Sequence, residues 1–168
     1  MIVTVRRIVQ HLQQLIEAHD ELLDLAERKS GVIVRNQVDE LTKIMNEENK
    51  RVRRIAELEQ AYVTAVGDLF REKGIAPSPA TTMSDAIKLV TDPADKRALS
   101  EARDALLGRI ERLKERNARN QKLIEMSLAY INFTLDLVAG GDQDVVYRKS
   151  DDAQPPAGTG RRLFDAKA

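Results

Sequence analysis

Apolar residues in this chain recur at alternating intervals of three and four along three long stretches, and no other feature narrows the fold so far. The first stretch runs Ile8, Leu12, Leu15, His19, Leu22 and Ala26, with Ile33 one heptad beyond Ala26 and with Ile16 and Leu23 widening the stripe. The second runs Val38, Leu41, Met45, Val52, Ile55, Tyr62, Val66 and Leu69. The third runs Leu99, Ala102, Leu106, Ile110, Leu113, Asn117, Asn120, Ile124, Leu128, Ile131, Leu135 and Val138. Positions three and four apart share one face of an α-helix, so each stretch reads as a helix with a packing seam. Such seams are satisfied only by other helices. The expected fold is all-α: an elongated antiparallel bundle or coiled coil of three long helices, with one short connector helix and a flexible C-terminal tail. A charged fraction of 32% with only 4% aromatics suits that architecture.

The punctuation places the elements. The first helix is expected to end near Val34, where Asn36 suits the N-cap of the second and Asp39 and Glu40 fall in its first turn. Gly74 supplies a left-handed stop for the second helix. Two prolines in residues 74–81 make that segment a connector. Thr82 with Asp85 forms a variant capping box for a short helix ending near Val90. Asp92 then caps the last helix, with Pro93 at its first position, where a missing donor does no harm. This helix is expected to reach about Ala139 and stop at Gly140 and Gly141. Residues 140–168 are rich in proline, glycine and charge, which divides the chain into a helical domain, 1–139, and a flexible tail, 140–168.

Composition removes several function classes. Twenty-seven basic residues balance 27 acidic ones, so no global field gathers nucleic acid or anionic lipid. The basic run KRVRR at 50–54 lies between Glu47 and Glu48 on one side and Glu57 and Glu59 on the other, and reads as a solvated helix face. The chain has no cysteine, which fits a cytoplasmic protein without disulfides. No apolar run approaches the roughly 18 residues of a membrane span, and no signal peptide is visible. His11 and His19 stand about 12 Å apart along one helix, too far for a shared metal, and His19 reads as a packing residue. No phosphate loop, EF-hand or Glu-x-x-His pair occurs. The expectation is a binding protein rather than an enzyme, with no catalytic residues, no metal and no cofactor. Asn117 and Asn120 sit in the last seam, either fixing register between helices or facing water.

The stretch LIEMSLAYINFTLDLV, residues 123–138, carries more apolar surface than one seam requires. Beside Ile124 and Leu128 it bears a second stripe of Leu123, Met126, Tyr130, Phe133 and Leu137, displaced by about 100° around the helix. The last helix also outruns the first by roughly 20 Å, which puts its C-terminal third at or beyond the expected hairpin tip. An apolar surface left over in this way suits a groove for a partner's amphipathic helix. The tail, or a second copy of the chain in a homodimer, would cover it equally well.

The segment LAERKSGVIVRNQVDELTKIMNEENKRVRRIAELEQ, followed downstream by NQKLIEMSLAYINFTLDLV and a polar tail, resembles the FlgN family of flagellar export chaperones over most of residues 5–139. The resemblance implies a cytoplasmic type III secretion chaperone. It would bind the terminal amphipathic helices of hook-filament junction proteins, keep them unassembled and deliver them to the flagellar export apparatus. It also implies that the C-terminal helix is the binding region, which here means Leu123, Met126, Tyr130, Phe133 and Leu137, with Ile124 and Leu128 nearer the bundle. In the tail, Val145, Val146 and Tyr147 become candidates for docking to the export machinery, or for a cover over the stripe. A homo-oligomeric scaffold or regulatory coiled coil is the alternative use of the same surface.

Overall fold

The computed structural model describes residues 3–146, with side chains over residues 3–139. These form α1 (Val3–Val34), α2 (Val38–Glu72), α3 (Met83–Leu89) and α4 (Pro93–Val146), with no strand among the described residues. The chain divides into two compact units, Met1–Leu128 and Ala129–Ala168.

In the first unit the helix ends follow from local chemistry. Asn36 does not cap α2, as its side chain had suggested. It takes a φ of 51°; its N–H donates to the Ile33 carbonyl (3.0 Å) and that of Gln37 to the Val32 carbonyl (3.1 Å), which closes α1. Asparagine is among the few residues other than glycine that visit this left-handed region routinely. The N-cap position of α2 passes to Gln37, which makes no side-chain capping bond, and Asp39 and Glu40 in the first turn supply the favourable dipole interaction instead. Gly74, with φ of 72°, closes α2 as expected: its N–H donates to Arg71 and that of Ile75 to Phe70. Thr82 and Asp85 form the expected capping box of α3. The hydrogen bonds from Thr82 hold the Asp85 carboxyl below its ordinary pKa. Asp92 accepts from the N–H groups of Ala94 and Asp95, both at 2.9 Å, at the start of α4.

Two apolar clusters hold this unit together. One joins Val5, Ile8 and Leu12 of α1 to Ala65, Val66, Leu69 and Phe70 of α2, Ala86 of α3, Val90, and Leu99 and Ala102 of α4. The other joins Leu15, Ala18, Leu22, Leu25 and Val32 of α1 to Ile44 and Ile55 of α2, with Leu106 and Leu113 of α4 against it. Arg109 pairs with Asp20 and Arg116 with Glu27, one heptad apart on each helix, so α4 runs parallel to α1 and antiparallel to α2. Asn120 is buried: its Nδ2 donates to the Ala26 carbonyl (2.8 Å) and its Oδ1 accepts from Ser30 Oγ (2.5 Å). It therefore fixes register, whereas Asn117 faces water. His19 is also buried, with Nδ1 2.7 Å from the Leu15 carbonyl.

The seam of α2 differs from its sequence reading. Val38, Met45 and Val52 are exposed, and Ile44 is buried in place of Met45. The buried line passes through Leu41, Ile44, Ile55, Leu58 and Tyr62, and at its middle two polar residues replace apolar ones. Glu48 accepts from Lys29 at 2.8 Å, both side chains only 16–17% exposed, and Arg51 lies against Glu21 without hydrogen-bond alignment. Because the true seam is interrupted by charge, the apolar heptad of Val38, Met45 and Val52 imitates one about 100° away. The last helix differs at its end: α4 continues through Gly140 and Gly141 to Val146. Glycine costs only about 1 kcal/mol relative to alanine inside a helix already under way.

Replacing Ile44 by alanine should lower unfolding free energy by about 2–4 kcal/mol, whereas Met45→Ala should change it by less than about 0.5 kcal/mol; urea denaturation followed by circular dichroism reads both. Asn120→Ala, which leaves Ser30 and the Ala26 carbonyl short of a partner, should cost about 1–3 kcal/mol in the same measurement, and Asn117→Ala almost nothing.

Candidate functional site

Burial of the apolar seam residues of α4 falls off along the first unit, although Asn120 is buried. Leu99 and Ala102 are buried, Leu106, Ile110 and Leu113 half-buried, and Leu123 and Ile124 still half-buried. Met126 and Leu128 are exposed, at 69% and 55%. The register explains the change. The Asp20–Arg109 and Glu27–Arg116 pairs share a sequence offset of 89, which sets Val34, the last residue of α1, level with Leu123. Past that level α1 offers no residue for the face that α4 had been burying.

In the second unit the described part is the helical stretch Ala129–Val146. Tyr130, Phe133 and Leu137 of the second stripe are all exposed there, and so are Ile131, Leu135 and Val138 of the seam. Both apolar faces are therefore open to water, and a helix apolar on most of its circumference is one that calls for cover. Of the residues expected to form the binding stripe, Met126, Leu128, Tyr130, Phe133 and Leu137 are open, while Leu123 and Ile124 are partly engaged with the bundle. Leu128 is more open than its expected place near the bundle implied. Val145 and Val146 close α4, their side chains outside the described set, and Tyr147 lies outside the described residues.

A surface that the seam reading missed lies within the first unit. Val52 of α2 and Leu113 and Ile124 of α4 line an open groove of about 330 Å³, floored by Leu22 and edged by Asn49, Asn117 and Gln121. Val52 belongs to the exposed line of Val38 and Met45. The three residues were visible in the sequence as an apolar heptad, but the pattern alone assigned them to the core.

The chemistry available at the end of α4 is burial of apolar area. Among the described residues the titratable groups with displaced pKa values lie elsewhere: the Lys43–Glu40 hydrogen bond lowers Glu40 and raises Lys43, burial raises Tyr62, and Asp85 is lowered in its capping box. Among the described residues no group of three or more His, Asp or Glu side chains is placed to hold a metal ion. No helix among them is long and apolar enough to cross a membrane.

Comparison with known proteins agrees with this architecture. No solved structure gives a significant match. The uncharacterized protein YvyG of Bacillus subtilis (strain 168) is 26% identical over 163 residues, covering 97% of this chain and 98% of that protein. The family described as FlgN protein matches residues 1–155. A match over nearly the whole chain, on an all-helical scaffold with an open apolar helix end, settles the assignment: the chain belongs to the FlgN family of flagellar export chaperones.

Proposed function

We propose that this protein binds the terminal amphipathic helices of hook-filament junction proteins in the cytoplasm, keeps those proteins unassembled and delivers them to the flagellar export apparatus. The supporting observation is the exposure of Tyr130, Phe133 and Leu137 on a helix stretch that is open on both of its apolar faces. Junction-protein helices carry apolar faces that would otherwise pair with one another. Laying one such face on α4 removes both surfaces from water, at roughly 25 cal/mol per Å² of apolar area, less the cost of ordering the bound segment. Within the first unit Met126 and Leu128 are open as well, and Leu123 and Ile124 are half-buried. No step requires nucleotide or metal.

Replacing Phe133 or Tyr130 by aspartate should reduce binding of a purified hook-filament junction protein by at least about a hundredfold, since a carboxylate would then be buried without a partner. Far-ultraviolet circular dichroism and the melting temperature should stay unchanged. A loss of helicity in the same variants would show that these side chains belong to a core. Delivery is assigned to Val145, Val146 and Tyr147. Truncation after Gly141 should accordingly leave binding of the junction protein intact while abolishing its secretion; tighter binding after truncation would identify the tail as a cover over the stripe.

A further inference from the structure

Within the first unit α4 is flanked by two open grooves of nearly equal size and opposite character. The groove against α1, about 320 Å³, is lined by four acidic and three arginine side chains around a single apolar residue, Leu23. Water and neighbouring charges satisfy such a surface. The groove against α2, about 330 Å³, has one acid and one base among its lining residues, Glu48 and Lys29, and these pair with each other at 2.8 Å. Its walls are uncharged: Asn49 and Val52 on α2, and Leu113, Asn117, Gln121 and Ile124 on α4. One helical turn further toward the α1–α2 turn, Met45 and Leu128 continue them, both exposed. In a chain of which 32% is charged, two exposed walls without a charge are not what hydration alone calls for, and such surfaces mark partner sites.

We infer that the α2–α4 groove docks an amphipathic helix of another protein, about two heptads long, whose uncharged apolar stripe is interrupted by one amide or hydroxyl side chain. Length, spacing and polarity each point to that occupant. Val38–Val52 on α2 and Leu113–Leu128 on α4 both span about 21–22 Å, the length of two heptads of helix. Val38, Met45 and Val52 recur every seven residues, a spacing that another helix follows and that an extended chain, with its period of two, does not. Between the apolar ends of the walls stand Asn49 and Asn117, both exposed, whose amides have no hydrogen-bond partner among the described residues. A covering helix would take them out of water. Its backbone groups are already paired, so an amide or hydroxyl side chain must restore the lost hydrogen bonds. A second copy fits less well: its own groove is concave, and two concave faces leave the middle of the contact unfilled. The α4 seam of that copy, Ile124, Leu128, Ile131, Leu135 and Val138, offers no amide. Residues 147–168, with Pro155, Pro156, Gly158 and Gly160, hold no apolar stripe of the required length.

This docking concerns the first unit alone and stands or falls apart from the use of Tyr130 and Phe133. The test uses the full-length protein and three synthetic fifteen-residue helical peptides that share one leucine stripe and carry asparagine, leucine or lysine at its middle position. Fluorescence anisotropy should show the asparagine peptide binding at least about tenfold more tightly than either of the others. Val52→Asp should weaken that binding at least about tenfold with the circular dichroism unchanged, because Val52 is 54% exposed. Asn117→Leu, at another exposed position, should reverse the order of the asparagine and leucine peptides, and Phe133→Asp should leave all three affinities as they were. Failure to bind any peptide, equal affinity for the asparagine and leucine peptides, or an order that Asn117→Leu does not change would overturn the inference. So would binding lost in Phe133→Asp and kept in Val52→Asp, which would place the peptides on the end of α4. Concentration-dependent dimerisation abolished by Val52→Asp would overturn it in favour of a second copy.

Discussion

Helix α1 carries the burial on which the rest of the first unit depends. Its apolar residues enter both clusters, first against the end of α2 and the start of α4, then against the middle of α2. Residues of α2 and α4 join those of α1 in both clusters. The length of α1 therefore sets how far the three-helix packing extends, and its last residue, Val34, stands level with the point where side chains on α4 begin to open to water. A longer α1 would continue to face the seam of α4 at Leu128, which here is 55% exposed.

Within that unit the packing grows more polar toward the α1–α2 turn. The cluster at the far end contains the fully buried Leu69, Leu99 and Val90, whereas the other end is crossed by Lys29–Glu48, Arg51–Glu21 and the Ser30–Asn120–Ala26 contacts. Arg51–Glu21 is half-exposed, but Lys29–Glu48 is largely buried, and such pairs contribute little net stability beside well-packed apolar residues. They discriminate strongly against displaced registers, because a slip leaves charges and amides buried without partners. Asn120 illustrates the effect: its two hydrogen bonds join α4 to α1 within one turn of each helix, and a one-residue slide would break both. Stability is thus concentrated at one end and alignment at the other, next to the point where apolar side chains of α4 open to water.

Much of this was legible in the sequence because helix ends and seams are local. The Thr82–Asp85 box, the Asp92–Pro93 start and the Gly74 stop each depend on a few adjacent residues, and each formed as read. The open stripe was legible for a different reason: residues 123–138 carry two apolar faces where one seam needs only one. Two features were not legible. Asn36 suits either side of a break, and only the hydrogen bonds to Ile33 and Val32 decide that it ends α1 instead of starting α2. The seam of α2 is hidden because Glu48 and Arg51 occupy core-facing positions, and no single-chain pattern distinguishes a charge that finds its partner on α1 from one that faces water. The exposed line of Val38, Met45 and Val52 then looked like the better seam.

The continuity of α4 bears on affinity as well as on placement. An isolated helix of the length of Ala129–Val146 would be only marginally formed in water, because nucleating the first turn is costly and few residues remain to offset it. Here the stretch extends a helix already nucleated at Asp92 and Pro93, so each added residue bears only the propagation cost, about 1 kcal/mol more at Gly140 and at Gly141 than alanine would bear. The apolar surface of this stretch is therefore presented already ordered. In the proposed complex the conformational entropy lost on association would fall mainly on the partner segment, leaving more of the apolar burial to appear as affinity. A pre-ordered helix also keeps its side chains at fixed angular positions, which is what allows a helix with one apolar stripe to be distinguished from a chain that is merely apolar.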